Sequence, residues 1–428
     1  MTFSPEGLRN LRKAAMTRTV PGIVLNRLRT LAFGLLALTL ASGCGLEEAK
    51  ESPAYLVRDS AGIEIVESRR AAWETGEGWR VGAEAIVRIG MVEGDPAYQF
   101  SGITGGARLT SGGVVVADGG SQEVRFFDSD GTILKTVGRP GGGPGEFTGL
   151  SGLGKDGAGS LWVYDFSLRR VTWVDGSGEI TGLTSLGMEP AMLNPVGPLP
   201  DKTFALKQLW GAREVSEASN SGLRRDPVAV VRFNEVGSLV DTVGLFPGRE
   251  IYLFDEGGRG VMATPPFARN AVATIRAGNL VVGDQESFEL GEYRPSGELL
   301  RLLRVKKEER LVGPEEMESF LQGRLTGAPP EEHASIRRSI EEMPRPETMP
   351  AYGGILGDEA GNLWVAEWTM PGDYPSSWWV FDRNGIWLGQ VVMPARFWPM
   401  EIGPDWVLGF ELDHLDVEFL VLYPLGKG

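Results

Sequence analysis

The chain has 428 residues, with 42 Lys and Arg against 57 Asp and Glu, a formal balance of −15. Its sixty glycines, about 14% of the residues, follow no three-residue period, which excludes collagen and assigns glycine to turns. One Cys and two His exclude a disulfide framework, a zinc finger and most histidine-built metal sites, and an acidic chain without a basic block is a poor partner for nucleic acid.

The chain opens on a basic stretch. Arg9, Arg12, Lys13, Arg18, Arg27 and Arg29 precede the apolar run from Leu31 to Leu40, which is too short to cross a bilayer and suits an export signal. Ala41-Ser42-Gly43-Cys44 follows and resembles the lipobox of bacterial lipoproteins, whose cysteine sulfur takes a diacylglyceryl group. The resemblance implies a signal at 1–43, a lipid such as palmitate on Cys44, and a tether over 44–54. It also implies an address in the bacterial cell envelope, facing the periplasm or the cell surface. Met16 is an alternative start. Cleavage before Cys44 removes six basic residues and one acidic residue, so the balance moves from −15 to −20 and anionic headgroups repel the exported form.

From residue 55 a short pattern recurs: an apolar residue, usually Asp or Asn, two variable residues, Gly, one more, then an apolar residue. It reads Phe127-Asp-Ser-Asp-Gly131-Thr-Ile133 and Val174-Asp-Gly-Ser-Gly178-Glu-Ile180, and returns at 233–239, 293–299 and 381–387. Asp or Asn opens a turn and Gly supplies a positive φ, which makes each copy a β-hairpin. About ten residues before a hairpin lies an apolar run ending in an acid. The clear runs are Val114–Asp118, Leu161–Asp165, Leu280–Asp284 and Leu363–Glu367, with weaker ones at 203–207 and 406–411. Such dense runs suit strands buried on both faces. Phe100 and Phe147, Asp118 and Asp165, and Gly131 and Gly178 all stand 47 apart, the period of a propeller blade.

The link Gly138-Arg-Pro-Gly-Gly-Gly-Pro-Gly-Glu-Phe147 and the segment Asp165-Phe-Ser-Leu-Arg-Arg-Val171 resemble NHL-type repeats, and the chain from 80 to 427 resembles NHL and TolB-like propellers. The expected fold is all-β: a six-bladed β-propeller of four-stranded antiparallel blades over 55–428. Blades start near Phe100, Phe147, Met192, Phe267, Ala351 and Phe397. The last has only three strands, so Ala85–Gly90 is expected to supply the fourth and close the ring, with Ile63–Val66 as an alternative or additional strand there. Two insertions break the period, one from Gln208 to Arg225 and one over 313–344. The second reads as helical, with Met317, Phe320 and Leu321 on one helix and Ile336, Ile340 and Met343 on the next, a clip over the rim.

Constellations for chemistry are few. His333 and His414 have no histidine neighbour, no Gly-x-Ser-x-Gly elbow accompanies them, and the Gly141–Gly145 link lacks the Lys-Ser/Thr of a phosphate loop. No catalytic residue is assigned and no metal ligand. Asp118, Asp165, Asp284 and Glu367 recur at equivalent places. They could hold calcium, or a metal for lactone hydrolysis as in gluconolactonase-like propellers, but repetition favours turn capping, because catalytic residues break a repeat's symmetry. Aromatic and basic residues do break it: Trp210, Arg213, Trp368 and Tyr374 sit in or beside long loops, as do Trp378 and Trp379, and Trp and Arg there suit recognition, although Trp162, Trp364 and Trp378 are expected to pack between blades. The reading is a monomeric, envelope-anchored binding module for a peptide, polymer or partner protein. It carries no cofactor beyond the lipid and touches the membrane only through that lipid. The alternative is a metal-dependent hydrolase using channel carboxylates.

Overall fold

The structure, a computed structural model, describes residues 53–428 apart from 75, 212–221 and 257–258. The signal, Cys44 and most of the tether therefore lie outside the described residues. The chain starts with a hairpin, β1 (Tyr55–Ser60) and β2 (Ile63–Ser68), and two short strands, β3 (Arg80–Val81) and β4 (Val87–Ile89). Sheet one follows with β5 (Ile103–Arg108), β6 (Val114–Asp118), β7 (Glu123–Phe127) and β8 (Ile133–Val137). Sheet two has β9 (Leu150–Lys155), β10 (Leu161–Asp165), β11 (Arg170–Val174) and β12 (Ile180–Ser185). Sheet three has β13 (Leu193–Pro198), β14 (Phe204–Gln208), β16 (Pro227–Phe233) and β17 (Leu239–Pro247), interrupted by β15 (Gly222–Arg224). With β18 (Ile251–Glu256) and β19 (Arg259–Ala263), β15 forms a separate three-stranded sheet.

Sheet four holds β20 (Val272–Arg276), β21 (Asn279–Gly283), β22 (Glu289–Tyr293) and β23 (Leu299–Val305), and two helices follow, α1 (Pro314–Thr326) and α2 (His333–Glu342). Sheet five is β24 (Ile355–Gly357), β25 (Leu363–Ala366), β26 (Ser377–Phe381) and β27 (Trp387–Val392). Sheet six is β28 (Phe397–Ile402), β29 (Trp406–Leu412) and β30 (Glu418–Gly426). The molecule is a β-propeller of antiparallel, mainly four-stranded sheets. The first strand of each sheet is the inner one, and β28 meets β5 to close the ring.

Side-chain alternation explains the ring. Every residue of β6 is buried. Val114 and Val116 pack against Trp406 and Leu420 of sheet six, while Val115 and Ala117 pack against Leu153 and Val163 of sheet two. One core cluster lies between each sheet and the next around the ring. A strand apolar on both faces is what such stacking requires, because each sheet lies between two others.

The five hairpins expected from the repeat form between the third and fourth strands of sheets one to five. Asp128 Oδ1 accepts from Asp130 N at 3.0 Å and Thr132 N at 2.8 Å, and Asp175, Asn234 and Asp382 repeat the pair. Arg294 opens the remaining turn through backbone bonds and a side-chain ion pair with Glu298 at 2.9 Å. Gly131, Gly178, Gly237, Gly297 and Gly385 all adopt φ between 78° and 87°. At Gly237 a Cβ would also stand 1.8 Å from the Ser185 carbonyl oxygen, so conformation and close approach both require glycine.

Ala85–Gly90 supplies the closing strand: β4 pairs antiparallel with β30, and β3 pairs with the far end of β30. Ile63–Val66 does not join that sheet. β2 runs parallel to β23 on the outer edge of sheet four, with Val66 buried among Leu303, Leu363 and Phe381. One ion pair and one backbone hydrogen bond fix that register: Arg301 engages Glu64, and the Ser68 carbonyl accepts from Lys306 N at 2.9 Å. Ala72 N and Trp73 N then donate to Trp387 O and Leu388 O of sheet five at 3.0 and 2.7 Å. The segment from 55 to 89 thus runs along the outside of sheets four, five and six.

Candidate functional site

Strand parity separates the two ends of the ring. Each inner strand runs from one face to the other, so the 128–132 type hairpins and the short turns after the inner strands share what we call the turn face. The links between sheets and the turns after the second strands share the opposite, loop face. Every long insertion emerges there: 209–226, 248–271 with the three-stranded sheet, 306–354 with both helices, and 367–376.

The recurrent acids end the second strands at this face, and their oxygens are engaged. Asp118 accepts from Ser101 N, Gly120 N and Ser121 Oγ at 3.0–3.2 Å and pairs with Arg125 at 3.3 Å. Asp165 accepts from Thr148 N, Gly149 N and Leu168 N at 2.7–3.2 Å. Asp284 caps Glu286 N at 3.1 Å, and Glu367 lies 3.5 Å from Arg310. Asp118, Asp165 and Asp284 hold turns and links in place, as repetition implies, whereas the Glu367 side chain caps no described backbone N–H; among the described residues no three His, Cys or acidic side chains converge as metal ligands. The Gly141–Gly145 link is likewise occupied by its own chain: Glu146 accepts from Gly143 N at 2.8 Å, and Arg170 reaches the carbonyl of Gly143 at 3.1 Å.

Inside the ring, Lys155 at the end of β9 reaches across the axis to sheets five and six. Its Nζ lies 2.6 Å from Glu359 and 3.0 Å from Glu401, and donates to the Arg108 carbonyl at 3.1 Å. Glu401 Oε2 also accepts from Arg108 N at 2.7 Å. Burial raises the Glu401 carboxyl above the usual range, against the pull of Lys155. Burial also lowers the Lys155 ammonium, but Glu401 and Glu359 outweigh it and hold it above its usual value. The directions agree: two acids around one base leave a net negative cluster that binds protons readily. These charges meet near the turn-face ends of the inner strands β5, β9 and β28.

The residues singled out for recognition separate. Trp210 lines a cavity of about 100 Å³ with Arg224, Arg249 and Ile251, and the Arg249 guanidinium lies 5.5 Å from its ring. Nearby on β14, burial and then the Arg249 charge pull the Lys207 ammonium down to about 8. Arg213 lies outside the described residues. Trp368 serves packing: its ring is 5.3 Å from Phe267 and joins the cluster of Phe320, Leu321 and Ile340 that fastens the helices down. Tyr374 meets Phe410 edge-on at 6.2 Å. Both Trp378 and Trp379 are buried within β26: Trp378 packs in the cluster between sheets five and six, as expected, and Trp379 faces sheet four and not a loop. Among the described residues no ring contact joins Trp210 to Trp368 or Tyr374.

A larger cavity escaped the sequence reading. About 470 Å³ opens at the loop face of sheet four, lined by Phe288, Val305, Lys307, Arg310, Met349 and Ala351 among others. The Lys307 ammonium sits 4.6 Å from the ring centroid of Trp379, which also stacks on Trp387 with centroids 4.3 Å apart. The only sequence signal was the dense charge run Lys306-Lys307-Glu308-Glu309-Arg310 directly after β23.

No helix among the described residues is long and apolar enough to cross a membrane. No protein-family model and no curated protein matches the chain. Solved structures do. A member of the DUF4221 family from Bacteroides vulgatus aligns at 12% identity over 82% of this chain and 99% of its own, with a TM-score of 0.50. A candidate exported protein from Bacteroides fragilis aligns at 11% over 85% and 99%, TM-score 0.45. The virginiamycin B lyase of Staphylococcus aureus aligns at 12% over 81% and 99%, TM-score 0.40. At these identities the likeness is one of fold.

Proposed function

We propose that the chain is an exported, lipid-anchored, six-bladed propeller that acts as a binding module and holds a peptide, polymer or partner protein at its loop face. One observation carries the reading: every departure from the repeat emerges at that face, and the two described cavities open there. The turn face keeps short hairpins throughout. Loops freed from a scaffold's period are where recognition is built. Anchoring rests on Cys44, the only cysteine, placed directly after the apolar run. A metal-dependent hydrolase gains less support, since the two carboxylates that converge in the channel, Glu359 and Glu401, both engage Lys155.

Site-specific photo-crosslinking in cells tests the face. Leu311 on the loop face and Val236 on the turn face are 71% and 79% exposed, so a photoreactive side chain at either reaches solvent equally. A discrete crosslinked product is expected from position 311 and none from position 236; equal products, or a product from 236 alone, refute the assignment. Palmitate labelling is expected in the parent protein and absent from a Cys44→Ala variant.

A further inference from the structure

The cavity on sheet four has one apolar wall and, against an aromatic ring beside it, an ammonium without a counter-ion. Phe288 is 8% exposed and its ring centroid lies 5.0 Å from that of Trp379. Val305, Met349, Pro350 and Ala351 continue the apolar lining. Most charges around it are already matched. Arg304 pairs with Glu289, Arg225 pairs with Glu286 at 2.9 Å, and Arg69 and Arg58 stand 3.8 and 4.0 Å from Glu67. Arg310 reaches Glu367 at 3.5 Å. Lys306 and Lys307 form no ion pair with any described residue, and Lys307 alone is held against the aromatic wall. Partial burial, together with the Arg310 charge, pulls its ammonium below the usual lysine range, although Glu367 opposes this. An ammonium in that state gains from an anion. Exposed Glu308 and Glu309, also on the lining, balance the two lysines and weigh against a polyanion, so the site favours a single negative charge placed at the Lys307 ammonium.

We propose that this pocket binds a monocarboxylate carried on an apolar or aromatic body, with the carboxylate at Lys307 and the body against Phe288. The inference rests on the binding-module reading and names a ligand class for its loop face. A cavity of about 470 Å³ lies within the size range of small-molecule sites. The shared chemistry has two sources, a free organic acid or the C-terminal hydrophobic residue of a peptide.

Calorimetric titration of the exported domain tests it with 3-phenylpropanoate and 3-phenylpropanamide, and with an acetylated tripeptide ending in Phe, its carboxyl free or amidated. Saturable binding of the carboxylate is expected, weakened about tenfold in the amide and about tenfold in Lys307→Gln, the scale of one charge-assisted contact. Lys427→Gln, which removes the ammonium over Trp79 elsewhere on the ring, is expected to bind as the parent does. Tighter binding of the free-carboxyl tripeptide than of 3-phenylpropanoate assigns the peptide source, and the reverse assigns a free acid. Absence of saturable binding, equal binding of acid and amide, or an unchanged Lys307→Gln variant overturns the proposal. If crosslinking at position 311 persists in that case, the binding face stands and only the pocket's assignment falls.

Discussion

Replacing Lys155 by Met keeps the length of the side chain and removes the cation that two acids share. Glu401 would then keep the Arg108 N–H but lose its counter-ion, and Glu359 would lose the 2.6 Å contact that draws sheet five toward sheet two. Lys155 and Glu401 are 20% and 14% exposed, so solvent screens the pair only in part. Breaking a buried pair from one side costs about 3–5 kcal/mol, and partial exposure places this case near about 3 kcal/mol. Urea denaturation at neutral pH measures it. Glu401→Gln is expected to cost less, and the double variant less than the sum of the singles, with a coupling of about 1–3 kcal/mol. The pH dependence has a definite sign. Without Lys155 the Glu401 pKa rises further, and a group whose folded pKa is raised contributes stability that is lost as pH rises through that value. The penalty in Lys155→Met is therefore full well above the raised Glu401 pKa and shrinks as pH falls through it and Glu401 takes up its proton. A variant within about 0.5 kcal/mol of the parent, or strict additivity in the double variant, refutes a latch across the channel.

Three further outcomes are expected. Gly237→Ala, with φ at 78° and a Cβ 1.8 Å from Ser185 O, should cost more than the about 1–2 kcal/mol of left-handed strain alone, while Gly157→Ala, with nothing within 4 Å, should melt close to the parent. Asp165→Ala leaves three backbone donors without their acceptor and should lower stability by about 1–3 kcal/mol, read by thermal melting with and without added calcium; a loss that calcium modulates contradicts the capping role. In reductively methylated protein, the NMR signal of Lys207 should titrate near 8 while exposed lysines titrate near their usual value; a normal titration refutes its burial beside Arg249.

The repeat was legible because turn chemistry is local. A left-handed position demands glycine and an Asx turn demands Asp or Asn, so the hairpins could be read from seven-residue windows. Strands buried on both faces were equally plain as unbroken apolar runs. The destination of β2 was not, because Ile63-Glu-Ile-Val66 specifies a half-buried strand but says nothing of its partner; Arg301 with Glu64 and the Ser68 contacts decide that across more than two hundred residues of chain. The three-stranded sheet of β15, β18 and β19 escaped notice for a similar reason, since its strands fall within insertions that follow no period. At the candidate site, Trp210 could be picked out because an aromatic in a long loop breaks symmetry. Phe288 and Lys307 could not, because one resembles any core residue and the other any solvated charge, and only the fold brings them to one cavity. Trp379 misleads in the opposite sense: it follows a long loop in sequence but lies within β26, and its ring enters the core between sheets four and five, while Trp378 packs between sheets five and six as expected.

The segment outside sheets four to six also bears on load. Force applied at Pro53 would not meet the ring-closing strand first. It would act on β1 and on β2, which is bonded along its length to β23 and held in parallel register, and then on the contacts of Ala72 and Trp73 with sheet five. Only after these gave way would tension reach β4 and the seam with β30. The described positions ahead of β4, from 53 to 86, therefore act as a strain relief, so that pulling on this end peels an outer layer in stages before the closed ring is asked to open.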